Sequence, residues 1–99
     1  MKTPEAFEKA AVCKYLDSLS LCWYMKPATF GFGKSGVPDI IVCLGGRFVG
    51  LEIKREGKPP TAIQMRRMAE IRVAGGLAFW GTAEKVLKEL NECFQNFQT

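Results

Sequence analysis

Two short hydrophobic runs lie in the middle of the chain, at residues 40–44 and 48–53, and Gly45-Gly46 separates them. Apolar runs joined by a glycine pair are typical of a β-hairpin with a two-residue turn. Counting outward from that turn places Asp39 opposite Glu52. Directly opposed residues have Cβ atoms about 4.5–5.5 Å apart, and opposed like charges destabilise a sheet. The pattern therefore predicts two carboxylates that need a cation between them.

The two faces of the second hairpin strand differ in character. Alternation along the strand puts Val49, Leu51 and Ile53 on one face and Glu52 and Lys54 on the other. Gly50 lies on the second face, and we expect it to leave that face open to a close approach.

Hydrophobic residues at helical spacing predict three helices around this hairpin, each after a threonine that can cap the first turn. The predicted helices run from residue 3 to about 19, from 61 to the glycine pair at 75–76, and from 82 through 94, fraying towards 98. Apolar runs at 21–25 and 77–80 predict two more strands, the second of them buried. The order α-β-β-β-α-β-α, with a helical crossover before the last strand, predicts an α/β fold with a mixed sheet flanked by helices.

Length and charge narrow the class of protein. The 99 residues suit one domain spanning 1–99. Lys and Arg total 14 against 10 acids, a net charge of +4 that is compatible with a polyanionic partner. Six of the cations fall near the end of the hairpin and in the segment after it: Lys54, Arg55, Lys58, Arg66, Arg67 and Arg72. A solvated helix face is the alternative explanation for this concentration.

The composition argues against several kinds of site. The chain has 4 cysteines without a CxxC pair and has no histidine, which disfavours a zinc site and a histidine base. Four cysteines could form two disulfides, but Cys13, Cys43 and Cys93 fall in apolar helix or strand patterns, so we expect reduced core cysteines. The segment Gly33-Lys34-Ser35 is not a P-loop, because Ala28 stands where the first glycine is required and Pro38 and a β-run follow. No nucleotide cofactor is therefore expected.

No signal peptide is visible, and no apolar run approaches the roughly 20 residues that span a membrane. The expected location is cytoplasmic, without a membrane partner.

Asp39, Glu52 and Lys54 form a combination that suits phosphodiester chemistry. Hard cations such as Mg²⁺ prefer octahedral oxygen ligands and usually bind one or two carboxylates together with waters and phosphate. Such an ion lowers the pKa of bound water, and a lysine can stabilise developing negative charge. The structural alternative is that each acid forms a surface salt bridge with Lys54 or Arg55.

The segment Gly36-Val37-Pro38-Asp39, followed by Glu52-Ile53-Lys54 and by Gln64 ten residues later, resembles the VRR-NUC nucleases of the PD-(D/E)XK superfamily. The likeness is greatest to the small stand-alone phage and bacterial type, and it covers nearly the whole chain. It implies a restriction-endonuclease-like core and a single VRR-NUC-like nuclease domain over residues 1–99.

The resemblance also implies roles for individual residues. Asp39, Glu52 and the backbone carbonyl of Ile53 would bind Mg²⁺ or Mn²⁺, and Lys54 would be catalytic. Gln64, at the start of the second helix, would reach back to the site, although an exposed helix glutamine is the ordinary interpretation.

The family also places an acid on the first helix that completes the site through a metal-bound water. Glu5 fits this position best, and Glu8 is the second choice. Simple negative charge at a helix N-terminus is the structural alternative for both residues.

Further residues are candidates for contacts with DNA. The candidate DNA-binding residues are Lys34, Arg55, Lys58, Arg66 and Arg67. Five aromatic residues could stack on bases: Trp23, Tyr24, Phe30, Phe32 and Trp80. Aromatic residues on strands are expected in the core, which leaves Phe30 and Phe32 as the better candidates for stacking or for a dimer contact.

The predicted function is therefore that of a divalent-metal-dependent, structure-selective endodeoxyribonuclease. By resemblance it would act as a homodimer on branched DNA, in particular on four-way (Holliday) junctions, in the host cytoplasm if the gene is phage-encoded. The alternatives are a nickase or flap-type nuclease module, or a DNA-structure-binding protein that does not cleave.

Overall fold

The computed structural model describes residues 3–28 and 33–98, and its elements follow the predicted order. The three helices are α1 (Pro4–Asp17), α2 (Ala62–Val73) and α3 (Ala83–Gln98). The four strands are β1 (Cys22–Met25), β2 (Ile40–Leu44), β3 (Arg47–Ile53) and β4 (Leu77–Gly81). Phe30 and Phe32 lie outside the described residues.

The strands form one mixed sheet in the order β1-β2-β3-β4. Strands β1, β2 and β3 pair antiparallel, and β4 pairs parallel to β3 after the crossover through α2. Gly45 and Gly46 both have positive φ, of 57° and 84°, as the two-residue turn requires. Leu44 pairs with Arg47 and Ile40 with Leu51, so the register predicted from the glycine pair is confirmed.

The core lies between one face of the sheet and the helices α1 and α3. Its buried side chains come from these two helices and from the alternating positions of β2 and β3: Val12, Leu16, Ile40, Val42, Leu44, Val49, Leu51, Ile53, Ala83, Val86 and Leu90. Helix α2 packs on the opposite face, where Ile71 lies against Gly50. The sheet therefore presents Glu52 and Lys54 on the side of α2.

The predicted threonine caps are present at the helix starts. The Thr3 hydroxyl accepts a hydrogen bond from Ala6 N at 3.1 Å, and the Thr61 hydroxyl accepts one from Gln64 N at 3.3 Å. The Thr82 hydroxyl accepts a longer bond from Lys85 N at 3.4 Å. In the described part of the chain, no helix has the length and apolar character needed to cross a bilayer.

Several predicted details differ from the structure. Helix α1 ends at Asp17 rather than near 19, with Ser18 as its C-cap, and the chain turns at Leu21, whose φ is 56°. Strand β4 extends to Gly81 and is only half-buried, since it forms an edge of the sheet. Trp23 on the other edge strand is 63% exposed rather than in the core. The four cysteines are free thiols, but none is fully buried, and Cys43 is exposed on the sheet.

The expectation that Gly50 leaves its face of the sheet open is wrong, because other side chains of the protein pack above it. A Cβ at this position would lie 2.8 Å from Pro38 Cγ and 3.0 Å from Ile71 Cδ1. The space above Gly50 is therefore filled by the protein's own side chains. Close packing there fixes Pro38, and with it the start of β2, against α2.

Candidate active site

Asp39 and Glu52 come together one position beyond the last pair of the β2–β3 ladder. The Asp39 Oδ2 atom accepts a hydrogen bond from the backbone N–H of Ile53 at 2.9 Å, which holds the aspartate against β3. Glu52 is only 2% exposed. Burial and the neighbouring Asp39 carboxylate raise the pKa of Glu52 from an ordinary 4.5 to about 8, against the opposing influence of Lys54 and Lys9. The two acids thus share one electrostatic environment.

Two lysines offset the charge of this carboxylate pair. Lys54 is buried, and its Nζ lies 3.9 Å from Glu52 Oε2. Lys9 on α1 places its Nζ 3.5 Å from Asp39 Oδ1. Sequence reasoning missed Lys9; the available signal was its position one helical turn after Glu5. The sheet and α1 therefore each contribute one cation.

Gln64 connects the start of α2 to the carboxylates. Its Oε1 accepts a hydrogen bond from Thr61 N at 2.8 Å, which completes a capping box. Its Nε2 donates to Glu52 Oε2 at 3.2 Å. Both ends of the amide are used, so helix capping and the orientation of Glu52 depend on the same side chain.

The two acids of α1 have different surroundings. Glu5 Oε1 lies 3.4 Å from Lys58 Nζ. Burial acts to raise the pKa of Glu5, but Lys58, Lys54 and Lys9 together hold that pKa below its usual value. Glu5 thus lies in the field of the same two lysines as Asp39 and Glu52.

Glu8 has a different contact. Its Oε2 accepts a hydrogen bond from Ala83 N and so caps the start of α3. The geometry therefore favours Glu5 over Glu8 as the acid of the first helix associated with the site.

The donor set fits a hard divalent cation. Within residues 3–28 and 33–98, no group of three or more His, Cys, Asp or Glu side chains is arranged to hold a metal ion, so the close anionic set is the pair Asp39 and Glu52. Glu52 Oε1 is buried without a hydrogen-bond partner. A buried carboxylate oxygen without a partner is costly unless something binds it. Two carboxylates with further oxygen or water ligands are a common donor set for Mg²⁺.

The five candidate DNA-binding cations occupy two separate places. Arg55 and Lys58 lie after β3, near the start of α3. The other three, Lys34, Arg66 and Arg67, surround the carboxylate of Glu70 at 4.0, 3.6 and 2.9 Å.

Arg67 is the most constrained of these cations. It also donates to the carbonyl of Ser35 at 2.9 Å, and its side chain is only 17% exposed. Its guanidinium therefore holds the loop before β2 in place against α2.

The similarity to known proteins extends over almost the entire chain. A solved structure described as a "VRR_NUC domain" shares 26% sequence identity and a TM-score of 0.77 with this chain, covering 92% of it and 97% of that structure's chain. No protein-family model and no curated protein matches the sequence.

The fold is of the PD-(D/E)XK-like class. Within that class the chain has the fold of a VRR_NUC domain, and the resemblance predicted from the sequence is confirmed. This likeness implies a nuclease-type function with DNA as the substrate. Nucleases of this class generally use divalent metals.

Proposed function

We propose that residues 1–99 form a single nuclease domain that hydrolyses phosphodiester bonds in branched DNA and depends on Mg²⁺ or Mn²⁺. The main support is the buried Glu52 carboxylate, whose Oε1 lacks a hydrogen-bond partner while Asp39 and Lys54 lie beside it. An arrangement that raises the pKa of a buried acid to about 8 is costly for a purely structural residue. The cost is offset if the site binds a cation.

Asp39, Glu52 and the backbone carbonyl of Ile53 would hold the metal. When bound, a divalent cation activates water and offsets negative charge on the phosphate. The hydrogen bond from Ile53 N to Asp39 keeps one of the two carboxylates in position before any cation arrives. Preorganised ligands of this kind reduce the cost of assembling the site.

The remaining residues would act on the substrate and on the carboxylates. The Lys54 ammonium, fixed beside Glu52, would orient the nucleophile or stabilise the charge that develops on the phosphate oxygens. Gln64 would hold Glu52 in its orientation through the Nε2 donor. Glu5, which pairs with Lys58, would complete the site from α1 through solvent.

The preferred substrate in this proposal is a four-way junction cut by a homodimer. Two identical active sites related by a two-fold axis suit paired cuts on a substrate that is itself close to two-fold symmetric. The resemblance described above supports this part of the proposal.

Cleavage of a labelled four-way junction with Mg²⁺ or Mn²⁺ by the wild type and by Lys54→Ala tests the function. We expect cuts by the wild type and a loss of at least a hundredfold in the variant, with equal binding of the junction by both. Binding without any cleavage by the wild type would contradict the nuclease proposal. Cleavage of simple flaps alone would contradict the junction preference.

A further inference from the structure

A groove of about 720 Å³ lies between the loop after β3 and the first two turns of α3. Four cationic side chains line it: Arg55, Lys58, Lys85 and Lys88. The two lysines of α3 are three residues apart, which places them on the same side of the helix. Trp80, at the end of β4, contributes an aromatic wall.

This groove adjoins the candidate active site. Arg55 directly follows Lys54 in the chain, and Lys58 forms its ion pair with Glu5 at 3.4 Å. The N–H of Lys54 donates to the carbonyl of Gly81, a lining residue of the groove, at 2.8 Å. Lys58 therefore connects the groove to Glu5, which itself lies in the field of Lys54.

The charge around the groove is asymmetric. Its lining includes two acids, Glu56 and Glu84, and both also line a neighbouring pocket next to Glu8. That neighbouring pocket has no Lys or Arg among its described lining residues. The groove, with four cations against two acids, is thus attractive to a polyanion, whereas the neighbouring pocket is not.

The two α3 lysines have different surroundings. Lys85 Nζ donates to the carbonyl of Trp80 at 2.6 Å, lies 4.4 Å from the centroid of the Trp80 ring, and pairs with Glu89 at 3.3 Å. A Cβ at Gly81 would lie 2.7 Å from Lys85 Cδ, so this packing needs glycine there. Lys85 therefore builds the wall of the groove.

Lys88, one turn further on, is exposed, and its ammonium forms no ion pair or hydrogen bond with the described residues. It is consequently available for a phosphate. Lys34 in the loop before β2 and Arg66 and Arg67 of α2 differ in this respect, because Glu70 lies within 4.0 Å of all three and offsets their charge.

We infer that this groove binds the sugar–phosphate backbone of the nucleic acid strand that enters the active site, with Arg55, Lys58 and Lys88 contacting phosphates. The inference rests on the proposed nuclease function, because it assigns a path to the substrate of that reaction. It also favours the α3 side of the site over the basic surface of α2 as that path.

The test compares the binding of a labelled four-way DNA junction by the wild type, Lys88→Glu and Lys14→Glu in EDTA, by fluorescence anisotropy at several NaCl concentrations. Lys14 is an exposed residue of α1, so its variant makes the same change in net charge away from the groove. We expect Lys88→Glu to weaken binding about tenfold and to reduce the magnitude of the slope of log K against the logarithm of the NaCl concentration by about one, the value of one phosphate contact. Lys14→Glu should change the affinity less than about twofold.

Equal losses in the two variants, or no loss in Lys88→Glu, would overturn the groove assignment. Circular dichroism and thermal unfolding confirm that both variants are folded. Cleavage is measured separately with Mg²⁺. A wild type that binds but never cuts would contradict the nuclease proposal, while the comparison of Lys88→Glu with Lys14→Glu still decides the groove.

Discussion

Replacement of Glu52 by glutamine is expected to stabilise the metal-free protein at alkaline pH. Glu52 is buried, and its neutral form is favoured because burial and Asp39 raise its pKa to about 8. Glutamine has nearly the same shape and does not ionise. Its oxygen can accept the bond from Gln64 Nε2, as the Oε2 atom of Glu52 does.

The magnitude follows from the two ionisation states. In the unfolded chain the carboxyl loses its proton near pH 4.5, and in the folded protein near pH 8. Between these values the unfolded chain has released a proton that the folded protein retains, so the free energy of unfolding falls as the pH rises. At about 1.4 kcal/mol per pH unit, the loss between pH 5 and pH 9 is about 4 kcal/mol. Such a loss is a large part of the roughly 5–15 kcal/mol that stabilises a typical domain.

The assay is urea unfolding of the wild type and of Glu52→Gln in EDTA at pH 5 and pH 9. Relative to the wild type, the free energy of unfolding of the variant should rise by about 4 kcal/mol between pH 5 and pH 9. Groups that titrate in the same way in both proteins cancel in this comparison. Mg²⁺ at pH 9 should then raise the stability of the wild type alone, by binding to the folded state. Unfolding free energies that run parallel from pH 5 to pH 9 would refute the reasoning.

Two further variants test how individual side chains serve the site. Gln64→Glu keeps an oxygen that can cap α2 but replaces the donor to Glu52 with a second carboxylate. We expect its helical content and its stability at pH 5 to be close to those of the wild type and its cleavage to be at least tenfold slower. Unchanged cleavage would contradict the role of the Nε2 donor. Glu8→Gln keeps an acceptor for the first amide of α3 and should cleave at the wild-type rate, whereas Glu5→Gln should cleave more slowly. The opposite result would identify Glu8 as the acid of α1 that acts at the site.

The carboxylate pair could be predicted because its causes are local. The glycine pair at 45–46 fixes the turn, and the turn fixes the register that brings Asp39 to Glu52. The threonine cap at Thr61 determined where α2 begins, whereas the placement of Gln64 near the site came from the resemblance to VRR-NUC nucleases. The register of the hairpin and the start of α2 need only short stretches of chain and known turn or cap chemistry.

The contacts that were missed or wrong depend on how distant elements pack. Lys9 on α1 reaches Asp39 at the start of β2, and Lys34 reaches Glu70 because the loop before β2 lies along α2. Arg66 and Arg67 pair with Glu70 within α2 itself. Gly50 was expected to leave its face open to a close approach, whereas Pro38 and Ile71 of α2 cover it. Periodicity indicates which residues share a face of one element and does not indicate what covers that face.

The most direct test of the account is a crystal soaked in Mn²⁺, with anomalous scattering used to locate the ion. We predict Mn²⁺ bound by the carboxylates of Asp39 and Glu52 and by the backbone carbonyl of Ile53. Asp39→Asn, which keeps an acceptor for Ile53 N, should fold normally and bind the ion more weakly. A soaked crystal with Mn²⁺ elsewhere and none between Asp39 and Glu52, or an Asp39→Asn variant that fails to fold, would mean that the acid pair is structural and would contradict the central claim.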